Sequence, residues 1–143
     1  MAQYLQKVMK KLNVIRLLFM MSLCLVASGG VWAQTTESQQ ISAAILSGNA
    51  RALGTYFNAN VDLAVLSTED VYSKEQAELI TARFFSENRP QSFELKHQGK
   101  SRLNDYFYIG DLATERGRYR LTFFLRKEGD VFRIKQLRIE PGD

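Results

Sequence analysis

Cysteine, histidine and tryptophan each occur once, at Cys24, His97 and Trp32. One histidine and, past the first 33 residues, no cysteine leave a zinc site without the nitrogen and sulfur ligands it usually takes, so no metal site is expected. No glycine-rich loop of the kind that cradles phosphate and no Gly-x-Ser-x-Gly elbow occurs, so nucleotide-loop and serine-hydrolase chemistry have no support. The sequence also lacks internal repeats, low-complexity tracts and any sign of a second domain. No cofactor is expected, and no catalytic set can be assigned.

Acidic residues are missing from the first 33 positions, where Lys7, Lys10, Lys11 and Arg16 make a basic start. Leu17 to Val26 follows as an apolar run of ten broken only by Ser22. Then come Ala27, Ser28, Gly29 and Gly30, and Val31-Trp32-Ala33 puts small or branched residues at the −3 and −1 positions of a cut before Gln34. These are the three zones of a secretory signal. Ten apolar residues fall short of the about 20 that span a bilayer. The chain is therefore expected to be exported, periplasmic or secreted, with its signal cut after Ala33 and no membrane attachment afterwards. Met9-Lys10-Lys11 reads as an alternative start. Cys24 would be the anchor of a lipoprotein, but Leu23 stands where such a signal needs a small residue, so Cys24 reads as one more apolar residue of the run.

This assignment alters the charge balance. The net charge of +4 comes from the signal, which holds four of the 19 basic residues and none of the 15 acidic ones. The remaining 110 residues carry 15 of each and are neutral. The pI of about 9.3 belongs to the precursor and gives no ground for a nucleic-acid partner. With Cys24 in the signal, the exported part has no disulfide and must be held by its core alone. A chain of that length buries roughly 65% of its unfolded surface, enough for one domain over 39–143. Residues 34–38 read as a short polar leader.

Local patterns order the elements. Ile41, Ala44 and Ile45 recur at helical spacing, and Gly48 suits the position just past a helix end. Asn49 caps a second short helix on which Leu53, Tyr56 and Phe57 share a face. Val61 to Leu66 switches to period two, and Val71-Tyr72 suggests a short partner strand. Ser73 and Gln76 form a capping box for the longest helix. Its stripe is Ala77, Ile80 and Phe84, with Phe85 beside it and Thr81 bonding back to the Ala77 carbonyl. Pro90 ends it. Strands then run to the end of the chain. Tyr106 to Thr114 is apolar on both faces, as a strand covered on both sides would be. Phe132 and Ile134 have one parity, Leu137 and Ile139 the other, which predicts a β-bulge near Lys135-Gln136 and a curved sheet.

The residues that carry a resemblance are spread along the chain. They are Tyr56-Phe57, Asn60-Val61-Asp62-Leu63, Tyr72-Ser73-Lys74-Glu75-Gln76-Ala77 and Phe84-Phe85. Further on come Asn88-Arg89-Pro90, His97-Gln98-Gly99, Tyr108-Ile109-Gly110, Gly117-Arg118-Tyr119-Arg120 and Ile139-Glu140. In this order they resemble the nuclear transport factor 2-like superfamily, and more narrowly a family of small exported bacteroidete proteins. The resemblance implies an α+β, cystatin-like fold: two short helices and one longer one packed on a strongly curved antiparallel sheet shaped as a cone. It also implies that the sheet can serve as a homodimer surface. In the isomerases of the superfamily a base lies early in the strand after the second helix. The inward position there is Leu63, with Asp62 pointing the other way, which counts against that chemistry.

Two places remain for a site. His97, continuing the face of Phe93 and Leu95, could with Tyr108, Tyr119 and Phe84 line a ligand cavity. His97 could also act with a nearby Tyr or Asp in a pocket enzyme of isomerase, dehydratase or hydrolase type. Arg118, Arg120 and Arg126, with Arg133 and Lys135 beside them, form a row that could receive an anion or an acidic partner. The function expected is an exported non-catalytic envelope module that binds a small ligand or a protein partner.

Overall fold

The computed structural model describes residues 1–23 and 36–143, with side chains at 1–13 and 36–143. Cys24, Trp32 and the expected cut after Ala33 lie outside the described residues. The chain divides into two units, Met1–Ala33 and Gln34–Asp143. The first contains helix α1 (Ala2–Leu23). Among the described residues no helix is long and apolar enough to cross a membrane.

The second unit runs α2 (Thr36–Leu46), α3 (Ala50–Gly54), β1 (Phe57–Val65), β2 (Thr68–Ser73), α4 (Lys74–Glu87), β3 (Pro90–Lys100), β4 (Tyr106–Thr114), β5 (Arg118–Glu128) and β6 (Val131–Pro141). Helix α2 begins at Thr36, three residues before its apolar spacing starts, because Ser38 is already buried beside Ile41. It stops at Gly48, whose φ of 65° lets its N–H reach back to the Ile45 carbonyl at 3.0 Å. Asn49 caps α3 by accepting from the Ala52 N–H at 2.9 Å. The helix does not extend to Tyr56 and Phe57 as their spacing suggests. The Ile134 N–H bonds the Tyr56 carbonyl at 2.7 Å and Phe57 pairs with Ile134, so the growing sheet takes both residues from a helix that Gly54 already weakens.

Helix α4 matches its sequence signals closely. Both halves of the Ser73–Gln76 capping box form. The Thr81 hydroxyl donates to the Ala77 carbonyl at 2.8 Å, which allows Thr81 to be fully buried. Ala77, Thr81, Phe84 and Phe85 face inward, whereas Leu79 is exposed.

The six strands form one curved sheet in the order β2-β1-β6-β5-β4-β3, antiparallel except where β1 runs parallel to β6. Four irregularities interrupt its ladders, one of them an extra residue, Gln91, in β3 opposite the Ala113–Thr114 step of β4. Lys135 is an extra residue in β6 opposite the Phe124–Leu125 step of β5, and Lys96 is an extra residue in β3 opposite the Ile109–Gly110 step of β4. Asn58 to Val61 leave the β6 ladder between the Phe57 and Asp62 pairings. The Lys135 bulge is the one the parity change predicts, and it lets Ile134, Leu137 and Ile139 all be fully buried. Gly110 lies opposite the Lys96 bulge, where a Cβ would come within 2.8 Å of the Glu94 carbonyl.

The helices share one apolar core with one face of the sheet: Ile41, Leu53 and Phe84 against Leu63, Phe123 and Leu137. No helix of this unit packs on the other face. The apolar pattern of β4 on both sides therefore does not mean that two layers cover it. Phe123→Ala, emptying the middle of the core, is expected to cost about 3–5 kcal/mol. Ser73→Ala, which removes only the helix cap, is expected to cost about 1 kcal/mol. Urea denaturation of the two variants checks both values.

Candidate functional site

The core face of the sheet leaves its expected ligand residues little freedom. Tyr108 is 3% exposed, and its ring stacks on Phe123 with centroids 4.9 Å apart. Phe84 is also 3% exposed and meets Tyr119 edge-on at 5.0 Å. The Tyr119 hydroxyl donates to Asn88 Oδ1 at 2.7 Å, while Asn88 Nδ2 donates to the Phe84 carbonyl, so the phenol braces the end of α4 on β5. Leu63 points inward and is fully buried; Asp62 lies on the outer face, accepting from Gln136 Nε2 at 3.1 Å. The inward position of β1 that the resemblance marks thus carries a leucine, with the neighbouring carboxylate on the other side. A shallow opening of about 450 Å³ lies between α4 and the β1–β2 turn. Leu66, Leu79, Ile80 and Phe84 line it, with Arg83 and Glu87 at the rim.

His97 does not continue the Phe93 and Leu95 face. The extra residue Lys96 reverses the alternation, so Leu95 sits opposite Gly110 on the core side while His97 pairs with Ile109 on the outer side, exposed. The same reversal turns Gln98 onto the core face opposite Tyr108. There Gln98 Oε1 is buried without a hydrogen-bond partner among the described residues. His97, Tyr108, Tyr119 and Phe84 are therefore not brought together: three pack in the core and one faces outward.

The outer face carries the charges. Its rows across the strands are Glu94–Asp111–Arg120–Glu140, His97–Ile109–Thr122–Arg138 and Gly99–Phe107–Phe124–Gln136. Arg118 and Arg120 share a groove of about 300 Å³ with Glu94, Lys96, Asp111 and Asp143. Lys96 Nζ lies 2.7 Å from Glu94, Arg120 lies 3.8 Å from Asp143, and Arg138 holds Glu69 at 3.0 Å. The Arg row is thus interleaved with carboxylates and is not a uniform strip for an acidic partner. Arg126 is occupied differently. It donates through Nε and Nη2 to Asp105 at 2.9 and 3.3 Å, and Lys135 reaches the same carboxylate.

Asp105 was invisible among the candidates, although its side chain is only 2% exposed and receives two cations. Those partners lie 21 and 30 positions away, so no local spacing announces them. The outer-face residues Phe107 and Ile109 were legible in part, through the two-sided apolar pattern of β4, whereas Phe124 lies beside them on β5.

The Arg126 guanidinium, hydrogen-bonded to the Asp105 carboxylate, holds its pKa below the ordinary value of 3.8; burial pushes the other way and Lys135 adds to the lowering. A depressed folded pKa contributes stability that is complete above the unfolded value and is lost as pH falls through the folded one. Asp105→Asn is therefore expected to lower the urea midpoint at pH 7. The gap to the wild type should begin to narrow as pH falls below about 3.8, and midpoints at pH 7 and at successively lower pH check it.

Comparison with known proteins places this geometry. A protein of Bacteroides uniformis solved by crystallography is 34% identical, with a TM-score of 0.69 over 77% of this chain and 99% of that one. One of Bacteroides fragilis is 30% identical, with a TM-score of 0.68 over 72% and 96%. A Nostoc punctiforme domain described as having a cystatin-like fold is 11% identical, with a TM-score of 0.58 over 73% and 72%, and shares the fold alone. No curated protein matches the chain. Both Bacteroides structures are described as DUF4783 family proteins. With that family matching residues 38–140, this chain belongs to the domain of unknown function DUF4783, a family of the nuclear transport factor 2-like, cystatin-like fold.

Proposed function

We propose that the protein is an exported, non-catalytic module of the bacterial envelope that binds a protein partner on the outer face of its sheet. The observation that carries this reading is the state of that face. Phe107, Ile109 and Phe124 are half-buried there with no layer of the unit over them, and charged residues of both signs surround them. An apolar centre inside a polar rim is the anatomy of a protein interface. The interior favours binding outside over binding within, because Tyr108, Phe84 and Phe123 fill the core. The pocket-enzyme alternative needed His97 in a concave site with an acid or phenol, and it is withdrawn with His97 exposed on the outer face.

Export is supported by the basic start, the apolar run and the small residues before Ala33. The division of the chain between Ala33 and Gln34, and a family match that begins at 38, fit the same boundary. In this reading residues 39–143 form the working domain and no membrane attachment remains after cleavage.

Two measurements test the proposal. The mature protein recovered from cells is expected to begin at Gln34; retention of residues 1–33 would sink the export reading. A photo-cross-linking amino acid at Ile109, on the full chain in living cells, is expected to capture a protein. Absence of any adduct from Ile109 counts against the docking face.

A further inference from the structure

The sheet ends in two edges, β2 and β3, and they are built differently. Strand β3 starts at Pro90, carries the extra residues Gln91 and Lys96, and has a second lysine at Lys100. Proline, bulges and lysines are the features that keep another strand from adding to an edge. Strand β2 has none of them. Its residues Thr68–Ser73 pair with β1 in unbroken register, and Thr68 to Val71 are exposed. We propose that β2 is a receptor edge, to which an extended basic segment of a different protein adds as a further strand. The proposal does not depend on the outer face, since it concerns the rim of the sheet.

The register fixes which backbone groups this edge offers. The Leu66 N–H donates to the Ile139 carbonyl of β6 at 2.9 Å, so Ala64 and Asp62 also turn their polar groups to β6. Val65, Leu63 and Val61 turn theirs to β2, where Thr68, Asp70 and Tyr72 receive them. Glu69 and Val71 therefore point N–H and C=O away from the sheet. The Val71 N–H is covered by the adjoining Asp70 carboxylate at 2.7 Å, and the Ser73 N–H by Gln76 in the cap of α4. An incoming carbonyl takes the place of the Asp70 carboxylate on Val71 and frees it for a cation. Asp70 is the carboxylate to be met, because Arg138 already holds Glu69 at 3.0 Å. Asp70 lies on the face of Leu63 and Val71, 63% exposed, on the face of Asp62. A strand that alternates basic and β-branched residues sets one kind against each. An antiparallel second β2 in full overlap would set Asp70 against its own copy, a like-charge contact that disfavours self-pairing.

Fluorescence anisotropy with the protein recovered from cells tests the proposal, using a short labelled peptide of alternating lysine and valine. The peptide is expected to bind saturably, and its glutamate–valine counterpart is not. Main-chain pairing uses alternate residues of the added strand. N-methylation of one alternate set of peptide nitrogens is therefore expected to abolish binding, and methylation of the other set to leave it intact. Val71→Pro removes an edge donor that β1 does not use, and is expected to raise the peptide Kd about tenfold or more. Asp70→Lys is expected to reverse the preference between the two peptides. Both positions are exposed, so circular dichroism should show either variant folded as the wild type is. A wild type that binds neither peptide overturns the proposal, and equal binding of both overturns the basic segment as occupant. Methylated peptides that all bind, or all fail, overturn strand addition. Unchanged binding by Val71→Pro overturns β2 as the place. The cross-link at Ile109 is scored separately, so failure here leaves the reading of the outer face to its own test.

Discussion

Lys135 is one residue more than β6 needs to stay in step with β5, and the rest of the sheet follows from how that surplus is absorbed. A strand shows alternate residues to alternate faces, so without the bulge Leu137 and Ile139 would point outward whenever Ile134 points in. With it, all three are fully buried in the central strand on which both β1 and β5 pair. Burying each such side chain stabilises the fold by about 1.5–3 kcal/mol, which outweighs one lost ladder position. The displaced lysine is not wasted either. Its ammonium crosses the outer face, passes 6.0 Å from the centre of the Phe124 ring and reaches Asp105. The bulge thus shapes the core on one side and ties the β3–β4 loop to the sheet on the other.

A second bulge, at Lys96, decides where the histidine falls. One extra residue moves the only histidine from the cavity side to the open side and puts Gln98 in its place. The imidazole therefore lies on an exposed strand face, paired with Ile109, and not beside Tyr108 in the core. The tyrosines that flank the core in sequence end up as packing and bracing groups. Tyr119 illustrates this: its ring packs against Phe84 and its hydroxyl fastens the C-terminus of α4.

What is left for interaction is the face on which neither α2, α3 nor α4 packs. The arginines on it do not form one field, because each row of the sheet brings carboxylates beside them: Arg120 lies between Asp111 and Glu140, and Arg126 is held by Asp105. Mixed charge around a small aromatic centre confers orientation and selectivity more than raw attraction. Such a surface suits a partner with matching registry better than a simple anion.

Much of this was legible in the residues themselves. The capping box at Ser73, the stop at Gly48, the back-bonded Thr81, the inward Leu63 and the bulge at Lys135 are local features. Their causes lie within a few positions: capping, φ preference, alternation and its reversal. The end of α3, the side on which His97 falls and the partners of Asp105 were decided only in three dimensions. Tyr56 and Phe57 have helical spacing, yet β6 captures them from across the chain. Nothing near Lys96 marks it as surplus; its bulge shows only when β3 is paired with β4. Asp105 meets cations from two other strands. The sequence by itself determined the class of fold and the periodicity of each element, because those rest on contacts between near neighbours. The tertiary structure decided which face each functional residue shows, because a face depends on register, and register is set by strands that meet only on folding.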